Sequence, residues 1–285
     1  MFTPSSPQQH PPHSIFKDDI GPEGNYFPQG LLCGVNIKKK KGNFVKVYKH
    51  NHSIILRINN SSIRSKLKPR PFRVSIEGNI GSGKSTCLNF FKRFETVEVH
   101  PEPIEKWRDV SGNNLLGLLY SDLDKWNFPF QHYVHLTRLQ IQTSPPSSNL
   151  TQVKMFERSV QNNRYCFMEN AKKNKFLKES EFQVLVAWND WVEKHMDIGL
   201  DLIVYLRSTP EVVFHRMLKR GRCEEASVTL DYLKEIHASY EEWLSTPEQV
   251  TCRVITIDAD QEIEGVIRQL EHHTPFILHP VLPVS

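Results

Sequence analysis

The run from Gly78 to Ser85 (GNIGSGKS) satisfies the pattern GxxxxGK[ST] in full. Glycines let such a loop wrap closely enough to turn its N–H groups toward phosphate oxygens. The expected nucleotide contacts are therefore Gly78, Asn79, Ile80, Gly81, Ser82, Gly83, Lys84, Ser85 and Thr86. Lys84 can reach the outer phosphates, and the Ser85 hydroxyl can bind Mg²⁺. The motif follows a β-rich run and precedes a helical pattern, and a helix N-terminus adds partial positive charge there. Nucleotide binding follows; the destination of the phosphate does not.

Three further groups carry chemistry. Arg216, Lys219 and Arg220 fall three and four residues apart on a predicted helix, with Arg222 just beyond. Like charges at that spacing repel unless an anion comes between them, and a polyphosphate is such an anion. Arginines closing over a transferred group stabilise transition-state charge; the plainer alternative is a solvated helix face. Glu102 follows the second predicted strand, so it stands at a strand's carboxyl end, where open α/β sheets bind ligands. Beside Pro103 and Trp107 its pKa is expected to rise, as a general base requires; the alternative is a surface glutamate at a helix start. Glu157 and Arg158 close the third strand, and alone would read as an ordinary salt bridge.

The elements that must hold these groups alternate between strand and helix. Strand-like runs are expected at Arg73–Glu77, Thr96–His100, Lys154–Phe156, Leu202–Leu206 and Val254–Ile257. Helical periodicity falls between them: Phe182, Leu185, Trp188, Val192 and Met196 in one stretch, Leu230, Leu233, Ile236, Tyr240 and Trp243 in another. Thr209, Pro210 and Glu211 form a helix start with a capping hydroxyl and proline in the first turn. The alternation predicts a parallel α/β sheet.

No run approaches the roughly 20 apolar residues of a membrane helix. The five cysteines are odd in number and lack a CxxC pair, which argues against a disulfide framework or zinc site and for a reducing compartment. Net charge is split. Residues 1–70 hold twelve Lys/Arg against three Asp/Glu, the remainder 24 against 29. The basic balance thus belongs to the leader, and nucleic-acid binding by the main domain gains nothing from it. Residues 1–70 are expected to be a disordered basic leader, 71–271 the catalytic domain and 272–285 a tail containing three prolines. The acid-free stretch from Asn36 to Arg70, with its Lys38–Lys41 run, is similar to an organellar presequence, although Lys17-Asp18-Asp19 precedes it. A nuclear import patch and a solvated tail are the alternatives.

Past the phosphate loop, five blocks in order resemble the deoxynucleoside kinase family, in particular the branch of mitochondrial thymidine kinase and the insect broad-specificity enzyme. They are Ile76–Thr86, Glu102–Arg108 (EPIEKWR), Pro129–Gln131, Glu157–Ser159 and Arg216–Glu225, within a resemblance covering residues 73–260. It implies a P-loop kinase fold, a five-stranded parallel sheet with an arginine-rich lid, and ATP-dependent phosphorylation of the 5′-hydroxyl of deoxynucleosides. By resemblance, Glu102 accepts the hydroxyl proton, Arg158 holds that carboxylate and the transferring phosphate, and Glu157 joins Ser85 at Mg²⁺. Lys84, Arg216, Arg220 and Arg222 attend ATP. Trp107, Phe130 and Phe167 wall the base, Gln131 reads its edge with a donor and an acceptor, and Tyr120 and Glu225 contact the sugar 3′-hydroxyl. The same resemblance implies a homodimer, for which the Glu181–Met196 stretch offers an apolar face. The expected location is the mitochondrial matrix, with nucleus or cytosol as alternatives.

Two departures matter. Leu218 stands where some relatives carry an arginine, so a phosphate contact is missing or comes from Lys219. Thymidine-using relatives carry methionine and alanine at the positions of Arg138 and Asn163; deoxycytidine and deoxyguanosine kinases carry arginine and aspartate. A buried guanidinium needs a partner, so Arg138 is expected to face solvent or a substrate oxygen, and base preference to shift away from thymine. A GTPase is disfavoured because no NKxD-like motif is present, and a nucleoside monophosphate kinase because the pocket blocks match nucleosides. A non-catalytic subunit of a larger complex would have no need of Lys84, Glu102 and Arg158.

Overall fold

The computed structural model describes residues 70–278 and the strand backbones Cys33–Lys40 (β1), Asn43–His50 (β2) and Ser53–Ile58 (β3). The chain divides into two compact units, Met1–Pro69 and Arg70–Ser285. In the first unit, β1, β2 and β3 form an antiparallel sheet in that order, pairing Val35 with Val47 and Val47 with Leu56. The expectation of a disordered leader is corrected for these stretches; residues 1–32 and 59–69 lie outside the described residues. The β-branched and aromatic content of β2 and β3 (Phe44, Val45, Val47, Tyr48; Ile54, Ile55, Ile58) favours strand, a signal the lysine run obscured.

The second unit carries all five expected strands: Phe72–Glu77 (β4), Val97–His100 (β5), Val153–Glu157 (β6), Leu202–Arg207 (β7) and Arg253–Asp258 (β8). They are parallel and ordered β5-β6-β4-β7-β8. The inner strands β4, β6 and β7 are covered on both faces, which explains their dense apolar runs. From β4 the chain skips to the edge at β5, returns to β6, then crosses to β7. That reversal opens a crevice at the carboxyl ends of β4 and β6.

The helices are Lys84–Phe91 (α1), Ile104–Arg108 (α2), Leu115–Ser121 (α3), Leu123–Thr143 (α4), Val160–Asn162 (α5), Glu169–Lys173 (α6), Glu179–His195 (α7), Pro210–Arg220 (α8), Leu230–Ser245 (α9) and Ile263–Leu278 (α10). A π-helical turn, Asn163–Met168, joins α5 to α6. Leu88 and Phe91 of α1 and Leu270 and Ile277 of α10 bury against Val74, Ile76 and Met155. On the opposite face Ile236, Tyr240 and Trp243 of α9 pack on Phe156, Ile203 and Tyr205. β4 thus sends Val74 and Ile76 into one layer, and Ser75 and Glu77 toward α9. No helix among the described residues is long and apolar enough to cross a membrane.

Three expectations are corrected. The tail does not begin at 272: α10 runs to Leu278 through Pro275, because burying Ile277 and Leu278 in the core outweighs the hydrogen bond lost at proline. Residues 279–285 lie outside the described residues. The Thr209 side chain does not cap α8; its backbone N–H donates to Asp260 Oδ1 at 2.9 Å instead. In α7 the buried face is Phe182, Leu185, Asn189 and Val192, whereas Trp188 is 38% exposed.

Candidate active site

The chemical groups gather at the strand ends. The phosphate loop follows β4, Glu102 follows β5, and Arg158 follows β6. Register brings them together: Ile76 pairs with Glu157, and Arg158 N–H donates to the Ile76 carbonyl at 3.0 Å. Arg158 then turns out of the ladder at φ 62°, a left-handed conformation uncommon for a side-chain-bearing residue and most often met at functional sites. The loop's turn at Gly78 needs glycine (φ 147°), since a Cβ there would lie 2.7 Å from the Leu206 carbonyl oxygen.

Glu102 is held between two guanidiniums. Arg138 Nη2 donates to its Oε1 at 2.6 Å and Arg158 Nη1 to its Oε2 at 2.7 Å. The three side chains are 6–7% exposed. Burial pushes the Glu102 pKa up, but Arg158, Arg138 and Lys84 together outweigh it and bring it down to about 2. The expected rise is corrected: the apolar neighbours were legible, the two arginines were not. Arg138 is corrected with it. It has a protein carboxylate after all, because Glu102 is its partner and Asn162 Oδ1 accepts from its Nη1 at 3.2 Å, and it is buried while lining the acceptor cavity.

Two cavities adjoin at Gly81, Lys84, Glu157, Arg220 and Arg222, and the Glu102 cluster lines the first. One is lined by all ten residues expected to touch the acceptor: Glu102, Trp107, Tyr120, Phe130, Gln131, Arg138, Arg158, Asn163, Phe167 and Glu225. Trp107 and Phe130 stand edge to face at 5.8 Å, and Trp107 Nε1 donates to Thr137 Oγ1 at 2.9 Å, which fixes the indole. Gln131 Nε2 donates to Asn127 Oδ1 at 3.0 Å, leaving a second N–H and its carbonyl for a base edge. The π-helical turn presents Asn163 and Phe167 to the same cavity. Asn163 Nδ2 donates to the Gln131 backbone carbonyl at 3.3 Å, while its buried Oδ1 has no partner.

The second cavity is a cleft lined by Gly81, Ser82, Gly83, Lys84, Ser85 and Thr86, and by Arg216, Arg220 and Arg222. Gly78 and Asn79, expected among the nucleotide contacts, line neither cavity; Asn79 Oδ1 accepts from Ile80 N–H and its Nδ2 donates to the Leu233 carbonyl, both at 2.8 Å. Ile80 lines the first cavity. Lys84 lines both, and its Nζ donates to the Asn79 carbonyl at 2.7 Å. Burial first, then the Arg158 charge, lowers its pKa to about 7.

The lid arginines divide. Arg220 and Arg222 line both cavities and both pair with Glu225, at 2.5 and 3.2 Å. Arg216 donates to the Ala259 and Gln261 carbonyls at 2.6 and 3.1 Å, which ties α8 to the loop after β8. Lys219 is exposed and lines neither cavity. Ser85 Oγ donates to Glu157 Oε1 at 3.0 Å, an oxygen-only pair beside the cleft.

Residues missed in the sequence lie mostly beneath the site. Glu77 and Tyr240 are wholly buried and bonded across 163 positions. Asn127, which orients Gln131, left a signal in its i, i+4 spacing.

Residues 74–274 match the deoxynucleoside kinase family. The chain is 40% identical over 221 residues to mitochondrial thymidine kinase 2 of Macaca fascicularis, which covers 77% of this chain and 82% of that one. To the human mitochondrial thymidine kinase 2 it is 42% identical over 209 residues, 73% and 78% of the two chains. To human deoxycytidine kinase it is 36% identical over 194 residues, 60% and 75%. A phosphate loop on a parallel sheet, open to an aromatic cavity through one carboxylate, defines a P-loop phosphotransferase. The chain belongs to the deoxynucleoside kinase family, and so catalyses ATP-dependent phosphorylation of deoxynucleosides in nucleotide salvage. The non-catalytic alternative is not favoured.

Proposed function

We propose that the protein passes the γ-phosphoryl group of ATP to the 5′-hydroxyl of pyrimidine deoxynucleosides, with Glu102 as the residue that receives the hydroxyl proton. The observation carrying this is the Glu102 carboxylate, fixed by Arg138 and Arg158 where the aromatic cavity meets the phosphate loop. A carboxylate with a pKa near 2 is ionised throughout the physiological range. It therefore accepts a hydrogen bond from the hydroxyl and aims its lone pair at phosphorus; phosphoryl transfer has a loose transition state, so full proton removal can come late. Lys84, Arg158, Arg220 and Arg222 supply positive charge around the transferring group. Tyr120 and Glu225 take the sugar 3′-hydroxyl.

The oxygen-only pair of Ser85 and Glu157 suits Mg²⁺, which takes few protein ligands and fills its shell with water and substrate phosphates. Among the described residues no group of three or more His, Cys, Asp or Glu could hold a metal alone. Bound there, Mg²⁺ would be held by Ser85 and Glu157 and would neutralise phosphate charge.

Base preference follows from Asn163. Its unpartnered Oδ1 can accept from an exocyclic amino group, which cytosine has and thymine lacks. We expect Asn163→Ala to raise the ratio of thymidine to deoxycytidine kcat/KM by about tenfold, the equivalent of one hydrogen bond. The test is steady-state phosphoryl transfer with the four natural deoxynucleosides on both proteins. No turnover of any of them overturns the function, and an unchanged ratio overturns the role of Asn163.

A homodimer is proposed from the exposed rings of Trp188 and Trp191, which stack at 5.7 Å on α7, with Val184 of α7 and Leu136 of α4 also exposed. Trp188→Glu with Trp191→Glu should halve the mass measured by light scattering; an unchanged dimer would place the interface elsewhere. The proposed location is the mitochondrial matrix, supported by the mitochondrial relatives and the acid-free basic stretch at 36–70. The acidic balance of residues 71–285 goes with small substrates and no nucleic-acid or membrane partner.

A further inference from the structure

We propose that the Tyr240 hydroxyl, backed by the Glu77 carboxylate, is the positioning device that fixes the two guanidiniums clasping Glu102. The inference rests on the reading of Glu102 as the proton acceptor. Glu77 ends β4 and points away from the cavities, 0% exposed. Its Oε1 accepts from Ser75 Oγ at 2.5 Å and from Ser159 Oγ at 2.8 Å, and its Oε2 from Tyr240 Oη at 3.3 Å. The Tyr240 oxygen in turn accepts from Asn162 Nδ2 at 2.8 Å and from Arg158 Nε at 3.2 Å. Asn162 passes the constraint on, since its Oδ1 accepts from Arg138 Nη1.

A phenol oxygen donates once and accepts twice, so Tyr240 is fully used, and each guanidinium is tied to it directly or through one side chain. Arg158 has two fixed anchors, Tyr240 Oη and the Gly78 carbonyl at 3.3 Å, which leave its Nη1 aimed at Glu102. Neither Tyr240 nor Glu77 lines either cavity, so neither touches substrate. The chemistry gives them a task. When Glu102 takes up a proton it loses the charge that attracts Arg138 and Arg158, and the hydrogen bonds from Arg158 Nε to Tyr240 Oη, and from Arg138 to Asn162 and Asn162 to Tyr240 Oη, remain to hold both guanidiniums in place. Burial raises the pKa of Glu77 above the ordinary carboxylate value, and its hydroxyl donors, then Arg138 and Arg158, offset only part of that rise.

The test is Tyr240→Phe, which deletes one oxygen from a packed ring. The expected result is a fall in kcat of about tenfold, as for a displaced catalytic group, with KM for the deoxynucleoside within about twofold. Alongside it, the pH profile of kcat/KM should gain an acid limb above about pH 4 that wild type lacks. The groups facing Glu102 are Arg158, Arg138, Lys84 and Tyr120; loosening the first two lets burial raise its pKa. Glu77→Gln should move both readouts the same way, and it serves if the phenylalanine variant does not fold. A folded variant with lower Tm but wild-type kcat and pH profile would overturn the positioning role. Glu102→Gln in the same assay separates the two ideas. Wild-type turnover there overturns the Glu102 reading; an inactive Glu102→Gln beside an unaffected Tyr240→Phe overturns this inference alone.

Discussion

Glu102→Gln should lower kcat by about 10²–10⁴-fold, the range for loss of a positioned proton acceptor, while KM for ATP stays within about twofold. Glutamine keeps the size and one acceptor oxygen, but its Nε2 donors would face Arg138 or Arg158, each now without a carboxylate. The hydroxyl loses its anionic acceptor and the guanidiniums lose the charge that orders them, so the loss falls on kcat. ATP reaches the protein through the phosphate loop and the lid, which Glu102 does not line, and its KM is spared. Stability moves as well. Removing one member of a buried ion pair costs about 3–5 kcal/mol. The sign with pH is fixed by the depressed pKa: the carboxylate stabilises the wild-type fold above its unfolded value of about 4.3, and that contribution is lost as pH falls toward 2. The variant should lack this dependence. Denaturant unfolding across pH, with steady-state kinetics, checks both halves. Equal turnover of the two proteins would end the proposal that Glu102 accepts the proton.

What could be read in advance had local causes. The phosphate loop was legible because a backbone wrapping phosphate demands glycines at set spacing, and the sheet because buried parallel strands are apolar along their whole length. Glu102 and Arg158 stood out at the ends of strand-like runs, but their roles came from the resemblance of EPIEKWR and Glu157–Ser159 to the family. Their electrostatics could not, since Arg138 lies 36 residues from Glu102 in the chain and meets it only where α4 passes the end of β5. Reasoning from Trp107 and Pro103 alone reversed the direction of the pKa. Glu77 was hidden for the opposite reason. An acid closing the run FRVSIE suggests a strand that has reached solvent, yet it is buried against a tyrosine supplied by α9. Long-range polar contacts leave no period in the sequence, so what lies beneath a site is less visible than what lines it. The leader strands were hidden differently: the lysine run dominated the composition and obscured the β-branched content of β2 and β3.

Arg158→Lys should cost about 10²-fold in kcat although the charge is kept, the scale of a misplaced catalytic group. Arginine here donates in three directions, to Glu102 through Nη1, to the Gly78 carbonyl through Nη2 and to Tyr240 through Nε. A lysine ammonium is one point at the end of a flexible stem and cannot hold a planar fork of contacts. If it reaches Glu102 it abandons Tyr240 and Gly78, and Glu102 is left in one clasp instead of two. If Arg158 acts through the Glu102 carboxylate that it clasps, their losses should not add. The double variant Arg158→Lys with Glu102→Gln is expected within about threefold of Glu102→Gln alone, as for groups that act as a unit. Additive losses would mean that Arg158 serves the phosphate independently of the carboxylate. Full activity of Arg158→Lys would mean that positive charge at the end of β6 suffices, and that the fork of hydrogen bonds, with the left-handed backbone that aims it, is not what the chemistry uses.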